Sequence, residues 1–596
     1  IQMLRSIQLE WHYSKDEILS AYINFAPFGA NIEGVQTAAF SWLGKQAAEL
    51  SHAEAALLAV LPQAPSFNRP DRHPDRAQKA RDKVLERMGK FNVWPKQIAD
   101  AAKREPVLAN RFVPPVIAPL AARRLKKQFP QLSRIRTTLD FDLQLHVRDI
   151  VKTYTATLGE HQSAAVLVVN HKTLETHVYV GSADFNSRSG KGHVDMVSAV
   201  RSPGSTLKPF LYGLAIDRGL VHSHSMLLDT PRHQKAYDPG NFTKGFSGPV
   251  TMADALRLSL NVPAVRVLDL LGPRLFFDRL VNGGARLSLP GKPNLSIILG
   301  GVGIDLESLV TLYTALAGDG IAKRPILVPG SEVLERYLMS EGAAWIIRHI
   351  LSQPVPGFEG ISRFTGTTPM AWKTGTSYGF RDAWAIGILG DYVAGVWVGR
   401  PDGSPSGGQY GALTALPLLS RVFDSLPLSN TAMPQPKNVT QQIICWPLGQ
   451  KTKEKDNNCH IRHQAWILNN QIPLTLIGKD DAFSPLFKTF WVDDQGRRAT
   501  PACGGIQKVS VATWPLEAEP FIPGAWHRKR LIPPPSKQCP ELPQVSGRPL
   551  QITSIYNNSI LTHPEGDAPT AAVPLSVMGS HGRTYWLLNR EPVGVL

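Results

Sequence analysis

A chain of 596 residues is long enough for about four domains, and 43% hydrophobic against 19% charged residues supplies several cores and excludes a largely disordered chain. The net charge is +16, and the bias sits toward the N-terminal end, where residues 1–140 carry 21 basic against 13 acidic side chains. Such a face can meet nucleic acid, anionic lipid or an acidic substrate, or simply be solvated; no zinc finger, RNP-like run or aromatic-basic stripe points to nucleic acid, and no such partner is expected.

The first residue is Ile1, and no run of about 18 apolar residues occurs, so neither a signal peptide nor a membrane span is expected here and any address or anchor is expected upstream. Apolar residues recur at helical spacing in residues 3–25, 52–61 and 81–91, which predicts a helical region over 1–112. Ser51 and Glu54 form a capping-box pattern before the second run. Pro114, Pro115 and Pro119 are expected to interrupt regular structure, and the basic stretch Arg123 to Lys127 reads as a solvated linker within 113–135, open to anionic lipid headgroups if the parent is anchored.

From about 136 the texture changes. Two short β-branched runs, 164–170 and 176–182, flank a polar turn at His171 to Leu174 and predict a hairpin. A second hairpin is predicted where 383–389 and 392–398 flank Gly390-Asp391. Residues 205–350 between them read mostly as helix, so the strands at both ends are expected to pair in one antiparallel sheet backed by helices, an α/β layer architecture over 136–430. Beyond about 430 Pro and polar residues thicken and the apolar runs shorten, as in FKTFWVDD, LQITSIY and RTYWLLN, predicting a β-rich region over 436–596. The chain stops at Leu596 directly after a strand pattern, so a cut end is expected there too.

Cys445, Cys459, Cys503 and Cys539 all lie in the last quarter with no Cys-x-x-Cys pair. Two disulfides in an oxidising compartment fit, as would four buried thiols; three connectivities are open, and Cys445 with Cys459 closes the shortest loop. The histidines, His193 among them, form no His-Glu-x-x-His or other ligand cluster, so no metal site is expected.

The chemistry is carried by three short patterns. Ser205-Thr206-Leu207-Lys208 opens a predicted helix, which puts both side chains on one face. A serine hydroxyl needs a base, and a lysine serves once burial or a neighbouring cation lowers its pKa. Ser259-Leu260-Asn261 ends a helix before Pro263, although Ser66-Phe67-Asn68 matches the same pattern in a Pro-rich loop. Lys373-Thr374-Gly375-Thr376 lies on an expected strand, where Gly375 lets a ligand approach the backbone. A competing pattern, Gly375-Thr376-Ser377-Tyr378-Gly379, matches the nucleophile elbow, but a strand is expected after it where an elbow leads into a helix, so Ser377 reads as a loop residue.

Together with TTLDFDLQ, RSPGSTLKPF, the segment 237–265 and KTGTSYGFRDAWAIG, this ordered set resembles the transpeptidase domain of class A penicillin-binding proteins. Residues 13–45 and LAVLPQAPSFNRP are similar to the second half of their glycosyltransferase domain, and APFGANIEG and the cysteine-bearing tail resemble the 1C subgroup. The resemblance implies a multidomain chain: a helical glycosyltransferase remnant, an α/β serine transpeptidase domain of the penicillin-binding and β-lactamase-like kind with an antiparallel sheet, and a β-rich C-terminal domain. It implies Ser205 as nucleophile, Lys208 as its base, Ser259 as proton relay and Asn261 as a hold on the substrate amide and Lys208. Lys373 would keep the site cationic, Thr374 and Thr376 beside Gly375 would bind the terminal carboxylate, and the N–H groups of Ser205 and Thr376 would form the oxyanion hole.

The implied reaction is attack on a D-Ala-D-Ala amide, release of D-Ala and transfer to a neighbouring amine, without a cofactor; water as acceptor gives a carboxypeptidase. Implied partners are peptidoglycan stem peptides and glycan strands, β-lactams, the inner membrane through an upstream anchor, and a cell-wall protein at the C-terminal domain, on the periplasmic side of a Gram-negative-type cell. The family's catalytic glycosyltransferase Glu lies in an earlier motif, and its second functional Glu aligns with Gln2, which cannot ionise, so this chain alone is not expected to polymerise glycan. A β-lactamase-like hydrolase and a wall scaffold with a vestigial site are the alternatives.

Overall fold

The computed structural model describes residues 2–109, 111–112, 116–132, 134–159, 161–231, 245–353, 369–427, 429, 433–451, 457–475, 486–503, 505–539, 551–552, 577–578, 585–588 and 591–595. The chain divides into two units, Ile1–Val116 and Ile117–Leu596. The first is helical, with α1 Gln2–His12, α2 Lys15–Phe25, α3 Val35–Leu43, α4 His52–Val60, α5 Pro74–Lys90 and α6 Lys96–Arg104. The expected capping box opens α4: the Ser51 hydroxyl accepts from the Glu54 N–H, and the Glu54 carboxylate accepts from the Ser51 N–H at 2.8 Å. Part of this unit's core forms around fully buried Trp42, whose indole N–H donates to the Phe28 carbonyl.

The second unit begins with α7 Pro119–Gln128 and α8 Phe141–Ala156, then β1 Ser163–Asn170 and β2 Thr176–Val180, the first expected hairpin. Next come α9 Lys208–Asp217, β3 Met226–Asp229, β4 Gly248–Thr251, α10 Met252–Arg257, α11 Asn261–Leu271, α12 Pro273–Asn282, α13 Leu306–Ala317, β5 Ile321–Lys323, β6 Glu335–Tyr337 and α14 Glu341–Leu351. Then follow β7 Ala371–Thr376, β8 Asp382–Leu389, β9 Tyr392–Gly399 and α15 Gly411–Asp424. Strands from both ends of this stretch pair in one antiparallel sheet ordered β2-β1-β9-β8-β7, as the sequence predicted.

Strand alternation explains why these runs are apolar throughout. On β1, Ala165, Leu167 and Val169 face a core shared with α9, α13 and α14, while Ala164, Val166 and Val168 face one shared with α8 and α15. Both faces of the sheet are covered, so no polar side is needed.

Two expectations change. Pro114 and Pro115 lie outside the described residues, but Pro119 interrupts nothing: it occupies the first turn of α7, where its missing N–H costs no hydrogen bond. Nor is the basic stretch a solvated linker. Leu120, Ala121 and Leu125 of α7 are buried, Arg124 is paired with Glu307 at 2.8 Å, and Arg123 lies over the Phe185 ring.

The C-terminal region carries a three-stranded sheet of β10 Val439–Trp446, β11 Gln450–Lys451 and β12 Ile461–Leu468, and a pair of β13 Phe487–Val492 with β14 Gln507–Ala512. The run FKTFWVDD supplies β13; of LQITSIY only Gln551 and Ile552 fall within the described residues, and of RTYWLLN only Tyr585–Leu588. The cysteines form two disulfides, Cys445–Cys459 and Cys503–Cys539.

Candidate active site

The turn RSPGS leads into a tight 3-10 turn, Gly204–Leu207, that passes directly into α9. Ser205 lies in this turn and Lys208 is the first residue of the helix, with Pro209 tolerated in the first turn. Gly204 has φ +54°, and a Cβ there would collide with the carbonyl of Thr376; a Cβ on Gly375 would collide with the carbonyl of Pro203. Only glycine at both positions lets the serine turn lie against the end of β7, the two segments whose Ser205 and Thr376 N–H groups are expected to form the oxyanion hole. Further contacts brace the turn: Tyr313 on α13 donates its hydroxyl to the Thr206 carbonyl at 2.8 Å, Trp384 on β8 donates to the Ser202 carbonyl at 2.8 Å, and the Ser202 hydroxyl donates to the Gly300 carbonyl at 2.8 Å.

The second pattern approaches from the end of α10. Ser259 adopts φ +59°, a left-handed conformation that costs a residue with a side chain about 1 kcal/mol. That twist turns the chain so that Ser259, Leu260 and Asn261 all address Lys208. Its Nζ donates to the Ser259 carbonyl at 2.7 Å, the Leu260 carbonyl at 3.0 Å and the Asn261 Oδ1 at 2.8 Å. Lys373 on β7 donates from Nζ to the Ser259 hydroxyl oxygen at 2.9 Å and to the Thr374 carbonyl at 2.9 Å. The two lysines are therefore linked through Ser259, whose carbonyl accepts from Lys208 and whose hydroxyl oxygen accepts from Lys373, with Asn261 held on Lys208.

Both lysines are buried, at 0% and 2% exposure. Burial pushes the Lys208 ammonium well below its usual pKa, and the charge of Lys373 pushes the same way, while Asp229 opposes them. Burial lowers Lys373 to about 7. Three neutral oxygens hold Lys208 by its N–H groups, and a neutral amine has only two N–H groups and a lone pair; loss of its proton frees one contact and provides the acceptor that a base requires.

Thr376 accepts at its hydroxyl from the Gly411 N–H at the start of α15, 3.0 Å away, so a helix N-terminus adds positive potential beside the expected carboxylate site. Ser377 closes the turn from β7 to β8, accepting from the Asp382 N–H at 2.8 Å; the connection is strand to strand, as the loop reading required. Ser66-Phe67-Asn68 lies in the first unit. Among the described residues no group of three or more His, Cys, Asp or Glu side chains could hold a metal ion, and His193 sits against Arg123 and Phe185.

Sequence reasoning missed the Ser259 and Leu260 carbonyls, because backbone atoms carry no residue signature. It also missed Asp229, whose only signal is an acid ending the apolar run MLLD.

Residues 164–391 match the family described as penicillin binding protein transpeptidase domain, and residues 1–89 match a transglycosylase family. Residues 438–467 match the penicillin-binding protein 1C linker domain and residues 481–530 its second linker domain. The chain is 45% identical to penicillin-binding protein 1C of Escherichia coli over 603 residues, covering 99% of this chain and 77% of that protein. It is 28% identical to penicillin-binding protein 1F of Bacillus subtilis, covering 67% of this chain and 60% of that one. The crystal structure of penicillin-binding protein 1A from Haemophilus influenzae shares the fold, with TM-score 0.58 at 17% identity over 77% of this chain and 92% of that one. The chain belongs to the penicillin-binding protein 1C family, and it carries a serine transpeptidase domain together with part of a transglycosylase domain.

Proposed function

We propose that Ser205 is the nucleophile of a peptidoglycan DD-transpeptidase and that Lys208, Ser259, Asn261 and Lys373 serve it in the roles the geometry suggests. The observation that carries this reading is the pair of buried lysines linked through Ser259, with Asn261 held on Lys208, beside the turn that holds Ser205.

In the proposed reaction the Ser205 Oγ attacks the carbonyl carbon of the penultimate D-Ala, and its proton passes to neutral Lys208. The N–H groups of Ser205 and Thr376 take the oxyanion, each contributing about 3 kcal/mol. The C–N bond breaks, and the proton held by Lys208 leaves on the D-Ala amine with the Ser259 hydroxyl as relay. Thr374 and Thr376, beside Gly375, bind the terminal carboxylate under the field of Lys373. An amine from a second stem peptide then attacks the ester, forming the cross-link and returning the proton to Ser205. The step balances without a cofactor, and a β-lactam enters the same path as far as the acyl-enzyme.

We assign this domain to residues 136–430, joined to the glycosyltransferase part at 1–112 through 113–135, whose helix α7 packs into the transpeptidase core, and followed by the β-rich region at 436–596. The place of action we infer is the periplasmic face of the inner membrane, an oxidising compartment consistent with the two disulfides. Among the described residues no helix is long and apolar enough to cross a membrane. Glycan strands and a wall protein at the C-terminal region complete the proposed partners.

The test is incubation with a fluorescent penicillin. Stable covalent labelling that maps to Ser205 and is lost in Ser205→Ala supports the transpeptidase; rapid loss of label indicates a β-lactamase, and no label a scaffold.

A further inference from the structure

The strand β3, Met226–Asp229, belongs to two cores at once. Its side chains alternate: Met226 and Leu228 are buried in a cluster with Ile444, Trp446 and Trp514 of the C-terminal region, while Leu227 is buried in the transpeptidase core with Leu211 and Leu256. By the same alternation Asp229 lies on the transpeptidase side. It is 0% exposed, it accepts from the Ser247 N–H at 2.8 Å, and its charge acts on both Lys208 and Tyr212, which sit one turn apart on α9. The fully buried Tyr212 hydroxyl has no hydrogen-bond partner among the described residues.

The C-terminal region also fixes both ends of the strand. Before it, His222 Nε2 meets the Gly449 carbonyl at 3.1 Å, the Trp446 indole donates to the His224 carbonyl at 2.9 Å, and the Trp466 N–H donates to the Ser223 hydroxyl at 2.7 Å. After it, Glu517 accepts from the Thr230 hydroxyl at 3.0 Å and from Arg266 at 2.5 Å. A four-residue strand clamped at each end and along one face has no freedom to move its last carboxylate independently.

We propose that Asp229 is a positioning residue for acylation, a buried counter-charge to Lys208 that the C-terminal β region sets in place through the shared strand. This rests on Lys208 being the base, as proposed above. Among the described residues, the charged groups that act on Lys208 are Lys373 on β7 and Asp229 on β3. Lys373 disfavours the protonated base and Asp229 favours it, so the strand tunes the pH at which Lys208 is free to accept a proton.

The test is the rate of fluorescent-penicillin acylation of the full chain, followed from pH 5 to 10. Asp229→Asn should move the acidic limb of the profile to lower pH by about one unit, and Asp229→Glu should restore it. Leu228→Ala changes no charge and touches only the C-terminal side of the strand; it should shift the limb in the same direction by a smaller amount, and it decides the question alone if the Asp229 variants fail to fold. Slower acylation at every pH with an unmoved midpoint would reduce Asp229 to a structural brace and overturn the proposal. Absence of labelling at Ser205 in the unaltered chain would instead overturn the transpeptidase reading.

Discussion

Two sets of buried charge in the second unit follow opposite rules. Near the start of α13, Glu307 sits between Arg124 at 2.8 Å and Arg286 at 2.6 Å, and Arg286 also pairs with Asp305 at 2.9 Å. Two cations meet two anions. The arginines hold the Glu307 carboxyl below its usual range against the opposing effect of burial, and the carboxylates raise both guanidinium pKa values. At the active site two ammonium groups are buried together, every hydrogen-bond partner they have among the described residues is a neutral oxygen, and both are pushed toward loss of their protons. The paired cluster ties α7 to α13; the lysines, hydrogen-bonded only to neutral oxygens, oppose folding at neutral pH, and in the proposed reaction they serve Ser205. Buried cations whose hydrogen bonds go only to neutral oxygens, and whose pKa values are pushed down by that burial, are a mark of function.

The comparison breaks first at the base. Lys208→Met should lower the rate of penicillin acylation by about 10³-fold, and because it keeps the volume while removing a group that the fold buries only by pushing off its proton, the melting temperature should hold or rise. Retained labelling, or a collapse of stability comparable to that of an ion-pair variant, would place Lys208 with the structural charges. Glu307→Gln should do the reverse. It leaves two arginines facing each other with one partner lost, so the domain should lose about 3 kcal/mol, read as a lower midpoint in urea, while the protein that remains folded still labels at Ser205. A Glu307→Gln variant that keeps its stability but fails to acylate would join the two regions into one site. Cys445–Cys459 closes a short loop beside Trp446, and replacing both cysteines with serine should cost about 3 kcal/mol, with unfolding starting in the C-terminal sheet.

How far the sequence told these regions apart depended on what carries each one. The site was legible because its chemistry is written in side chains at short spacing: Ser205 and Lys208 three residues apart, Ser259 with Asn261, and Lys373 with Thr374, Gly375 and Thr376. The hairpins were legible because Gly390-Asp391 and the β-branched runs obey local rules. The paired cluster was not, since Arg124 and Glu307 are 183 residues apart and nothing local marks them as partners. For that reason α7 read as a solvated basic stretch, when its neutralising acid lies on another helix. The double role of β3 was hidden likewise: four apolar and acidic residues carry no sign that alternate members belong to different cores.

The smallest expected effect is the one that best separates the two kinds of charge. Lys373 has a folded pKa of about 7 against an ordinary value of 10.5, so between those values the unfolded chain binds a proton that the folded chain does not. Stability must therefore rise with pH across that window, and below about 7 the folded chain also binds the proton, so the penalty is constant there. Lys373→Met, of similar length and with no charge, should be more stable than the parent by about 1–2 kcal/mol at pH 7, and its unfolding midpoint should depend less on pH between 7 and 10. Acylation should fall at the same time, because Lys208 loses the neighbouring cation that helps to deprotonate it and Ser259 loses its donor. Glu307→Gln, measured alongside, should show no such trade: its stability deficit persists across the same alkaline range, because the Glu307 carboxyl is ionised there in both folded and unfolded chains. If Lys373→Met were instead less stable at pH 7, the site lysines would be structural cations like Arg124 and Arg286, and the division between the two regions would fail.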